Sequence, residues 1–236
     1  MMKLEDVMQE LEALGTEQTK RTFLRHGAME PLSGVRIGDM KKLVKAVKQD
    51  QSLAARLYET GHYDAMYLAG LTVDPGRVTK PMLESWVKGA YCYTLAEYTV
   101  ANLAAESAYA LELAREWIGS DEEFVATCGW STYANYLSVT PDEQLDLAEI
   151  RGLLHRVQET IHEQPNRVRY TMNMFVICAG SFVQGLYAEA MDAAERIGIV
   201  RVDVGDTACK VPLAADYIRK VEAAGKRGVK KKTCIC

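Results

Sequence analysis

The sequence has no uninterrupted apolar run of about 18 residues, the length that a membrane-spanning helix requires. Its first residues, MMKLEDVMQELEALG, have the pattern of an amphipathic helix and not the charged and then apolar segments of a signal peptide. The sequence also lacks HExxH, a phosphate-binding P-loop and GxGxxG after a strand. We therefore expect a cytoplasmic protein that makes no use of a membrane and belongs to none of these three enzyme classes.

Residues that commonly hold metals or form disulfides are sparse. The six cysteines include no CxxC pair, and isolated cysteines in a reducing compartment behave as small buried hydrophobic residues. The four histidines include two E-x-x-H strings, Glu59–His62 and Glu159–His162, a spacing found in di-iron helical bundles. The further paired glutamates of such a site cannot be assigned, so we expect no metal and no other cofactor.

Helical periodicity is present along almost the whole chain. Between Gly38 and Lys48 the apolar residues recur at spacings of three and four, which places them on one face of a helix. Thr140 to Glu143 is typical of a capped helix start, and Thr79 to Pro81 opens another helix in a related way. The stretch 198–204 alternates like a strand, but without a partner strand we expect an extended connection. The predicted helices span residues of about 3–14, 17–26, 38–48, 51–59, 63–73, 80–89, 94–105, 107–118, 121–138, 141–163, 166–180, 185–197 and 212–224.

Helices of this length, joined by short loops, cannot each bury an apolar face alone. They are expected to pair and the pairs to stack, which predicts an all-α fold of the α-α superhelix type with about twelve to thirteen helices. A compact helical bundle is the alternative that the pattern leaves open. We assign residues 1–224 to the helical domain. Residues 225–236 lack apolar periodicity and are expected to form a mobile basic tail.

Positive charge is gathered at two places, although the net charge of the chain is −4. Lys41, Lys42 and Lys45 lie on the helix predicted over 38–48, opposite its apolar face, where they are placed to follow a row of phosphates. The sequence KRGVKKK over residues 226–232 would add salt-sensitive affinity for a polyanion. The alternative for both segments is an ordinary solvated surface.

Aromatic residues concentrate in the middle of the chain, where Tyr93 and Glu97 stand four positions apart. On an α-helix this spacing puts both side chains on one face. An aromatic ring beside a carboxylate can hold a cationic base by cation–π attraction and can stabilise a sugar that becomes positively charged. The alternative is a core aromatic residue next to an unrelated glutamate.

An ordered set of short segments carries a resemblance to a known family. The set consists of His26-Gly27, GVRIGDMKKL from Gly34 to Leu43, Leu57-Tyr58, Tyr67-Leu68-Ala69, Asp74, Val78-Thr79 and Trp86. These segments resemble the bacterial DNA alkylation repair proteins of the AlkD-type, HEAT-like-repeat superfamily. The match in order and spacing covers residues 20–90, and weaker similarity continues to about residue 180. The resemblance implies six or so helix pairs in a C-shaped solenoid whose concave, basic surface holds duplex DNA.

The resemblance also implies an activity, the hydrolysis of the N-glycosidic bond of cationic N-alkylated purines. Active members use a Trp-x-x-x-Asp pair, a following arginine and a second tryptophan. Here the pair falls on Tyr93 and Glu97, and the longer glutamate shifts the carboxylate by about 1 Å. No basic residue occurs over 129–133, where the arginine is expected, and the second tryptophan falls near Met174. The chain therefore resembles branches of the superfamily that lack the catalytic set.

We predict a DNA-binding protein related to alkylpurine DNA glycosylases. As an enzyme it would use Glu97 to stabilise the oxocarbenium-like sugar and to position water, while Tyr93 and Trp130 pack against the lesion. Arg167 and Arg169 are predicted to contact phosphate, as are the three lysines. The alternatives are non-catalytic recognition of damaged or structured DNA, and a solenoid that binds proteins. The predicted partner is duplex DNA, alkylated or branched, bound by a monomer.

Overall fold

The computed structural model describes residues 2–48 and 50–235, and no β-strand occurs among them. Met1, Gln49 and Cys236, which fall within the predicted domain and tail, lie outside this description. The α-helices are α1 (Leu4–Leu14), α2 (Glu17–Arg25), α3 (Ile37–Val47), α4 (Gln51–Glu59), α5 (Tyr63–Thr72), α6 (Lys80–Gly89), α7 (Tyr93–Leu95), α8 (Ala101–Ala105), α9 (Ala110–Trp117), α10 (Glu123–Val139), α11 (Leu147–Thr160), α12 (Asn166–Phe182), α13 (Tyr187–Ile197) and α14 (Ala214–Ala223). The all-α prediction is confirmed, and α4 and α6 have the predicted bounds.

Polar residues immediately before several helices explain where those helices begin. The side chains of Thr16, Asp50 and Thr79 each accept a hydrogen bond from a backbone N–H in the first turn of α2, α4 and α6. Such caps satisfy N–H groups that have no partner within the helix. The helix start predicted at Thr79 is therefore confirmed.

The helix start predicted at Thr140 is wrong. The N–H of Thr140 donates to a carbonyl in the last turn of α10, so this residue ends that helix. Residues Asp142–Gln144 form a single 3₁₀ turn, and α11 begins only at Leu147. The carboxylate of Asp146 accepts hydrogen bonds from two N–H groups in the first turn of α11. Because Thr140 already closes α10, the cap of the next helix is supplied by this aspartate.

The described residues form two compact units. The N-unit contains the residues up to Ala108 together with Gly205–Thr207 and Ile235. The C-unit contains Tyr109–Val204 and Ala208–Cys234. The single helical domain over residues 1–224 stays a prediction beside this division.

Helix α5 is the most deeply buried helix of the N-unit, and all of its residues except Tyr67 are buried. It packs against α3, α4 and the helical run that begins at Tyr93. Gly70 permits the last of these contacts, because a Cβ at this position would lie 2.6 Å from Thr99 Cγ2 and 3.1 Å from Thr99 Cα. A larger residue at position 70 would push the two helices apart.

The helical run from Tyr93 to Ala105 contains one wider turn. After α7 the chain enters a π-helical segment, Ala96–Val100, and α8 follows directly. A continuous α-helix was predicted over 94–105, so the position of the helix is confirmed and the type of this turn is not. Thr99, which faces Gly70, belongs to the π segment. The wider turn is thus located where this helix approaches α5 most closely.

Helices α10 and α12 form the centre of the C-unit and pack against each other. On α10, the rings of Trp130 and Tyr133 contact Phe175 of α12 edge to face, with centroid separations of 5.2 and 5.5 Å. Helix α9 packs on α10, while α13 and α14 pack on α12. Gly129 allows α9 to pack closely on α10, because a Cβ at this position would lie 2.6 Å from the backbone of Ile118, the residue after α9.

The basic segment, residues 226–232, is packed against the C-unit, which differs from the mobile tail expected. The N–H groups of Gly228 and Lys231 donate to the carbonyl oxygens of Ser181 and Ser138, both at 2.8 Å. These two carbonyls lie near the ends of α12 and α10, where helix carbonyls have no intrahelical donor. The segment therefore completes the hydrogen bonding of two central helices.

Among the described residues, no single helix combines the length and apolar composition needed to cross a membrane. Helix α12 and the stretch Gln184–Ile197 meet that test only as a pair, with a bend of 116° between them.

Candidate nucleic-acid interface

Helix α3 separates its apolar and basic residues onto two faces. Its buried residues are Met40, Leu43 and Val47. Its exposed cations are Lys41, Lys42, Lys45 and Lys48, and we call these four residues the α3 lysine face. Within the part of the chain that the structure describes, none of the ion pairs uses one of these lysines. The cations that the sequence analysis selected on this helix are therefore open to solvent.

The loop before α3 is held by the carboxylate of Asp64, which is fully buried near the start of α5. One carboxylate oxygen accepts hydrogen bonds from the N–H groups of Ser33 and Gly34 at 2.7 and 3.1 Å, and the other accepts from Val35 at 2.7 Å. Gly34 has a φ of 78°, and a Cβ there would lie 2.4 Å from Lys20 N. We call this arrangement the Asp64 clamp, and it fixes the chain from which α3 starts.

His62 lies between Ser33 and Asp64 of the clamp, so the three side chains follow the order serine, histidine, aspartate. Its Nε2 lies 3.1 Å from Ser33 Oγ, and its Nδ1 lies 3.9 Å from Asp64 Oδ2. Burial lowers the pKa of His62, and the opposing charge of Asp64 raises it less. The neighbouring loop N–H groups, which an oxyanion would need, already donate to Asp64, so this geometry serves structure and not acyl transfer. No local sequence pattern indicates the clamp, because its members are about thirty residues apart.

Tyr93, predicted to pack against a lesion, lies at the first position of α7 and is half-buried. Its hydroxyl shares a hydrogen bond with Nδ1 of His26, the residue that ends α2. The two rings approach edge to face with centroids 6.2 Å apart. His26 therefore orients the Tyr93 ring, and sequence spacing gave no indication of this contact across 67 residues.

Glu97, the predicted carboxylate, lies in the π segment with only 4% of its surface exposed. Tyr98, the next residue, is 43% exposed. The structure therefore turns the predicted carboxylate inward and turns outward an aromatic residue that the sequence analysis did not select. For Glu97 to approach a sugar, this helix would have to open or shift.

Trp130 is placed in the core and not at a surface. Only 1% of it is exposed, and it packs against Phe175 on the neighbouring helix. The guanidinium of Arg156 lies 5.6 Å from the ring centroid. These neighbours occupy the surroundings of the ring, so the structure argues against the predicted contact between Trp130 and a base.

Arg167 and Arg169 lie in the first turns of α12 and are partly exposed. The guanidinium of Arg167 stacks over the Tyr170 ring at 3.9 Å, and Nη2 of Arg169 donates to Asn166 Oδ1 at 3.3 Å. The N–H of Arg167 donates to Glu123 Oε1 at 2.6 Å. The guanidinium of Arg167 and one nitrogen of the Arg169 guanidinium are therefore engaged by neighbours, and the predicted phosphate contact of both stays a prediction.

Among the five cations of the basic segment, Arg227, Lys230 and Lys231 are also engaged. Nζ of Lys230 donates to Leu137 O at 2.9 Å and lies 2.7 Å from a carboxylate oxygen of Asp142. Arg227 forms an ion pair with Glu222 at 3.0 Å. A segment that the sequence presents as dense positive charge is therefore partly neutralised within the C-unit.

A groove of about 370 Å³ opens beside the α4 and α6 helix ends in the N-unit. Tyr58 and Trp86 stack there with their ring centroids 4.0 Å apart, and Glu59 is the one charged residue among the described lining residues. A groove with this charge does not suit a phosphate. The candidate nucleic-acid interface therefore does not include this groove.

Comparison with known proteins identifies the family. A family described as DNA alkylation repair enzyme matches residues 7–196. The chain is 34% identical over 226 residues to the uncharacterised protein Lmo0209 of Listeria monocytogenes, with 93% of this chain and 97% of that protein covered. The uncharacterised protein Lin0241 of Listeria innocua shows the same identity and coverage. The chain belongs to the DNA alkylation repair enzyme family.

A solved structure has the same fold, with a TM-score of 0.92, 38% sequence identity and coverage of 100% of both chains. That structure is described as a new family of proteins related to the HEAT-like repeat DNA glycosylases with affinity for branched DNA structures. The predicted α-α superhelix of the HEAT-like-repeat type is therefore confirmed, as is the resemblance to the DNA alkylation repair superfamily.

Three of the predicted site residues are engaged or enclosed within their own units. The tyrosine predicted to face a lesion is bonded to His26, the carboxylate of Glu97 is buried, and the tryptophan at position 130 fills the core. The α3 lysine face, by contrast, is fully available to a ligand. Among the residues predicted to contact DNA, Lys41, Lys42 and Lys45 are therefore the most exposed.

Proposed function

We propose that this member of the DNA alkylation repair enzyme family binds branched DNA without breaking the N-glycosidic bond. The observation that carries the proposal is the likeness over the whole chain, at 38% identity, to a protein described as having affinity for branched DNA structures. Conserved fold alone would not suffice, since one fold serves many functions. The proposal therefore also relies on the chemistry of the exposed lysines and of the buried carboxylate.

The affinity is proposed to come from the α3 lysine face. The chain carries a net charge of −4, so attraction to DNA requires cations gathered on one surface. Four exposed lysines on one helix meet this requirement, because each phosphate contact releases condensed counterions. We propose a monomer that acts in the cytoplasm and whose binding weakens steeply as salt increases.

The test is binding of a synthetic four-way DNA junction and of a linear duplex of the same length, measured by fluorescence anisotropy at several salt concentrations. The triple replacement of Lys41, Lys42 and Lys45 by glutamate should reduce affinity at least about a hundredfold, because three attractive contacts become repulsive. Junction binding that survives this change would show that another surface holds the DNA.

A matched variant controls for the change in net charge. Arg21, Arg56 and Lys88 are exposed cations of the N-unit on α2, α4 and α6, and their replacement by glutamate alters the charge by the same amount. We expect this variant to keep most of its affinity. Equal losses in both triple variants would mean that overall charge, and not the α3 lysine face, governs binding.

A second candidate function, alkylpurine glycosylase activity, is favoured only by the presence of Glu97 beside an aromatic residue. An N-alkylated purine is already a good leaving group, so a sparse site with one carboxylate would suffice. Release of free base from duplex DNA containing N7-methylguanine, compared with Glu97→Gln, tests this candidate. We expect no release above the rate without protein, and release that disappears in Glu97→Gln would establish the enzyme.

A protein-binding solenoid is the remaining alternative. It would show no salt-sensitive affinity for either DNA substrate, and the lysine variants would behave as the wild type does. The two outcomes of the junction experiment therefore separate a DNA-binding protein from a protein-binding one.

A further inference from the structure

The π segment places a single aromatic side chain in solvent. Its other four residues, Ala96, Glu97, Thr99 and Val100, are buried, while Tyr98 is 43% exposed. An exposed aromatic ring forgoes the stabilisation that burial would give it. Part of this ring is therefore accessible to a ligand.

The position of Tyr98 is fixed by packing and not by a flexible loop. The π segment contacts α5, where Gly70 allows Thr99 to approach to a distance that a Cβ would prevent. Because Glu97 and Thr99 on either side of Tyr98 are buried, the backbone of residue 98 is held from both neighbours. A ring carried on a fixed backbone loses less conformational freedom when a ligand stacks on it than a ring on a mobile loop does.

The other two aromatic residues considered for ligand contact are less exposed than Tyr98. Tyr93 bonds to His26 through its hydroxyl, and Trp130 is enclosed in the core of the C-unit. Of the described tyrosines, Tyr98 and Tyr217 are the two with large exposed surfaces, and Tyr217 lies on α14 in the C-unit. Tyr98 is thus the exposed tyrosine of the N-unit, the same unit that carries the α3 lysine face.

We propose that Tyr98 is a stacking site for an unpaired or unstacked nucleobase at a DNA branch point. The inference rests on the proposed function, binding of branched DNA, and assigns its preference for branches to one residue. Base pairs within a linear duplex cover each other's faces, whereas bases at a branch point can expose one. Stacking on an aromatic ring needs no particular base, because every base has a π face.

The inference divides two tasks between two parts of the N-unit. The α3 lysine face attracts phosphates and acts on duplex and branched DNA alike, since phosphates carry no information about branching. The ring of Tyr98 acts only where a base face is open. Loss of the ring should therefore lower affinity for the junction and leave affinity for the duplex unchanged.

The experiment compares the wild type with Tyr98→Leu and Tyr98→Phe on a four-way junction that carries 2-aminopurine at the branch point, and on a linear duplex. Tyr98→Leu keeps apolar bulk without a π face, and it should lower junction affinity roughly five- to a hundredfold, the effect expected for one stacked base. Tyr98→Phe keeps the ring and should bind as the wild type does. The fluorescence change of 2-aminopurine on binding should be present in wild type and Tyr98→Phe and absent in Tyr98→Leu.

Tyr217→Leu is the matched control, because Tyr217 is exposed to nearly the same extent, 44%. It should leave binding to both substrates and the fluorescence change as they are in the wild type. Thermal unfolding of every variant, followed by circular dichroism, shows that the proteins compared are folded.

The outcomes that overturn the inference differ from those that overturn the proposed function. If the wild type binds the junction better than the duplex and Tyr98→Leu retains that preference, the stacking site is wrong while branched-DNA binding stands. If Tyr98→Leu weakens junction and duplex equally, the ring has no role in branch recognition and the inference also fails. A wild type that binds junction and duplex equally well overturns the inference alone, whereas a wild type that binds neither overturns both proposals.

Discussion

The two basic regions of this chain look alike in the sequence and differ in the structure. The α3 lysine face and the segment over residues 226–232 are both dense in positive charge. On α3 the charged groups point away from a buried apolar face and stay exposed. In the basic segment, Lys230 and Lys231 bond to helix ends or pack over a ring, and Arg227 pairs with a carboxylate. A dense run of positive charge therefore predicts an interface only where the charged side chains are not used in hydrogen bonds or ion pairs within the fold.

The difference has a physical cause in the ends of α10 and α12. The last carbonyl groups of a helix have no intrahelical donor, and cations are stabilised there by the negative end of the helix dipole. A basic segment that follows the last helix can satisfy these carbonyls with its N–H groups and its lysine side chains. The α3 lysines lie along a helix surface, where the backbone has no such requirement.

The largest effect that would sharpen this comparison is expected from removal of residues 228–236. The C-unit would lose the donors to Ser181 and Ser138 and the buried side chain of Cys234. We expect the free energy of unfolding to fall by roughly 3–5 kcal/mol, measured by urea denaturation. A loss below about 1 kcal/mol would mean that the segment is free charge, as the sequence alone suggested.

A smaller effect is expected from Lys230→Met, which keeps the aliphatic stem and removes the ammonium. Leu137 O would lose its hydrogen-bond donor and Asp142 its ion-pair partner, at a cost of roughly 1.5–3 kcal/mol in unfolding free energy. The same replacement at Lys41 should change stability by less than about 0.5 kcal/mol, because that lysine is exposed. Equal losses of stability at the two positions would mean that Lys230 contributes no more to the fold than the exposed Lys41 does.

The dependence of binding on salt should distinguish the two regions at the level of function. Replacement of Lys41, Lys42 and Lys45 by alanine should reduce the slope of log Kd against log salt concentration by about 2–3, since each phosphate contact contributes about 0.9. Replacement of Lys230 and Lys231 by alanine should leave the slope unchanged. A reduced slope in the second variant would place the basic segment on the DNA as well.

The smallest effect concerns pH and the Asp64 clamp, which holds the loop before α3. Because burial lowers the pKa of His62 in the folded protein below the value of 6.5, the unfolded chain binds a proton more readily in this range. This contribution to stability is fully present above pH of about 6.5 and is lost as the pH falls through the lower folded pKa. Denaturant titrations at several pH values should show this loss in the wild type, and His62→Gln should show less of it. An identical pH dependence in the two proteins would exclude His62 as its source.

Much of the fold could be predicted from the sequence, because apolar periodicity and capping residues indicate where the helices lie. The bounds of α4 and α6 follow from apolar spacing and from the caps Asp50 and Thr79. The start of α11 could not be predicted in this way, since Thr140 and Asp146 are both good caps and only the end of α10 decides between them. Local signals are sufficient where the sequence offers one capping residue for a helix, and they fail where it offers two.

The candidate site could be predicted only in part, because its geometry depends on contacts between distant residues. The exposure of the α3 lysine face follows from the spacing along one helix. The π segment includes Thr99, which lies close to Gly70 of a distant helix, and no local pattern around residue 97 indicates a wider turn. The burial of Trp130 depends on Phe175, since tryptophan is common both in cores and at interfaces. The predicted roles of Tyr93, Glu97, Arg167 and Arg169 stay predictions.

The Asp64 clamp has a consequence for the dynamics of the chain. Three consecutive amide hydrogens, those of Ser33, Gly34 and Val35, are protected from solvent exchange by a side chain on α5 and not by their own loop. Their exchange should therefore follow the opening of α5, which is among the most buried helices of the N-unit, and not the faster opening usual for a loop. A loop of this kind reports on the integrity of a helix about thirty residues further along the sequence.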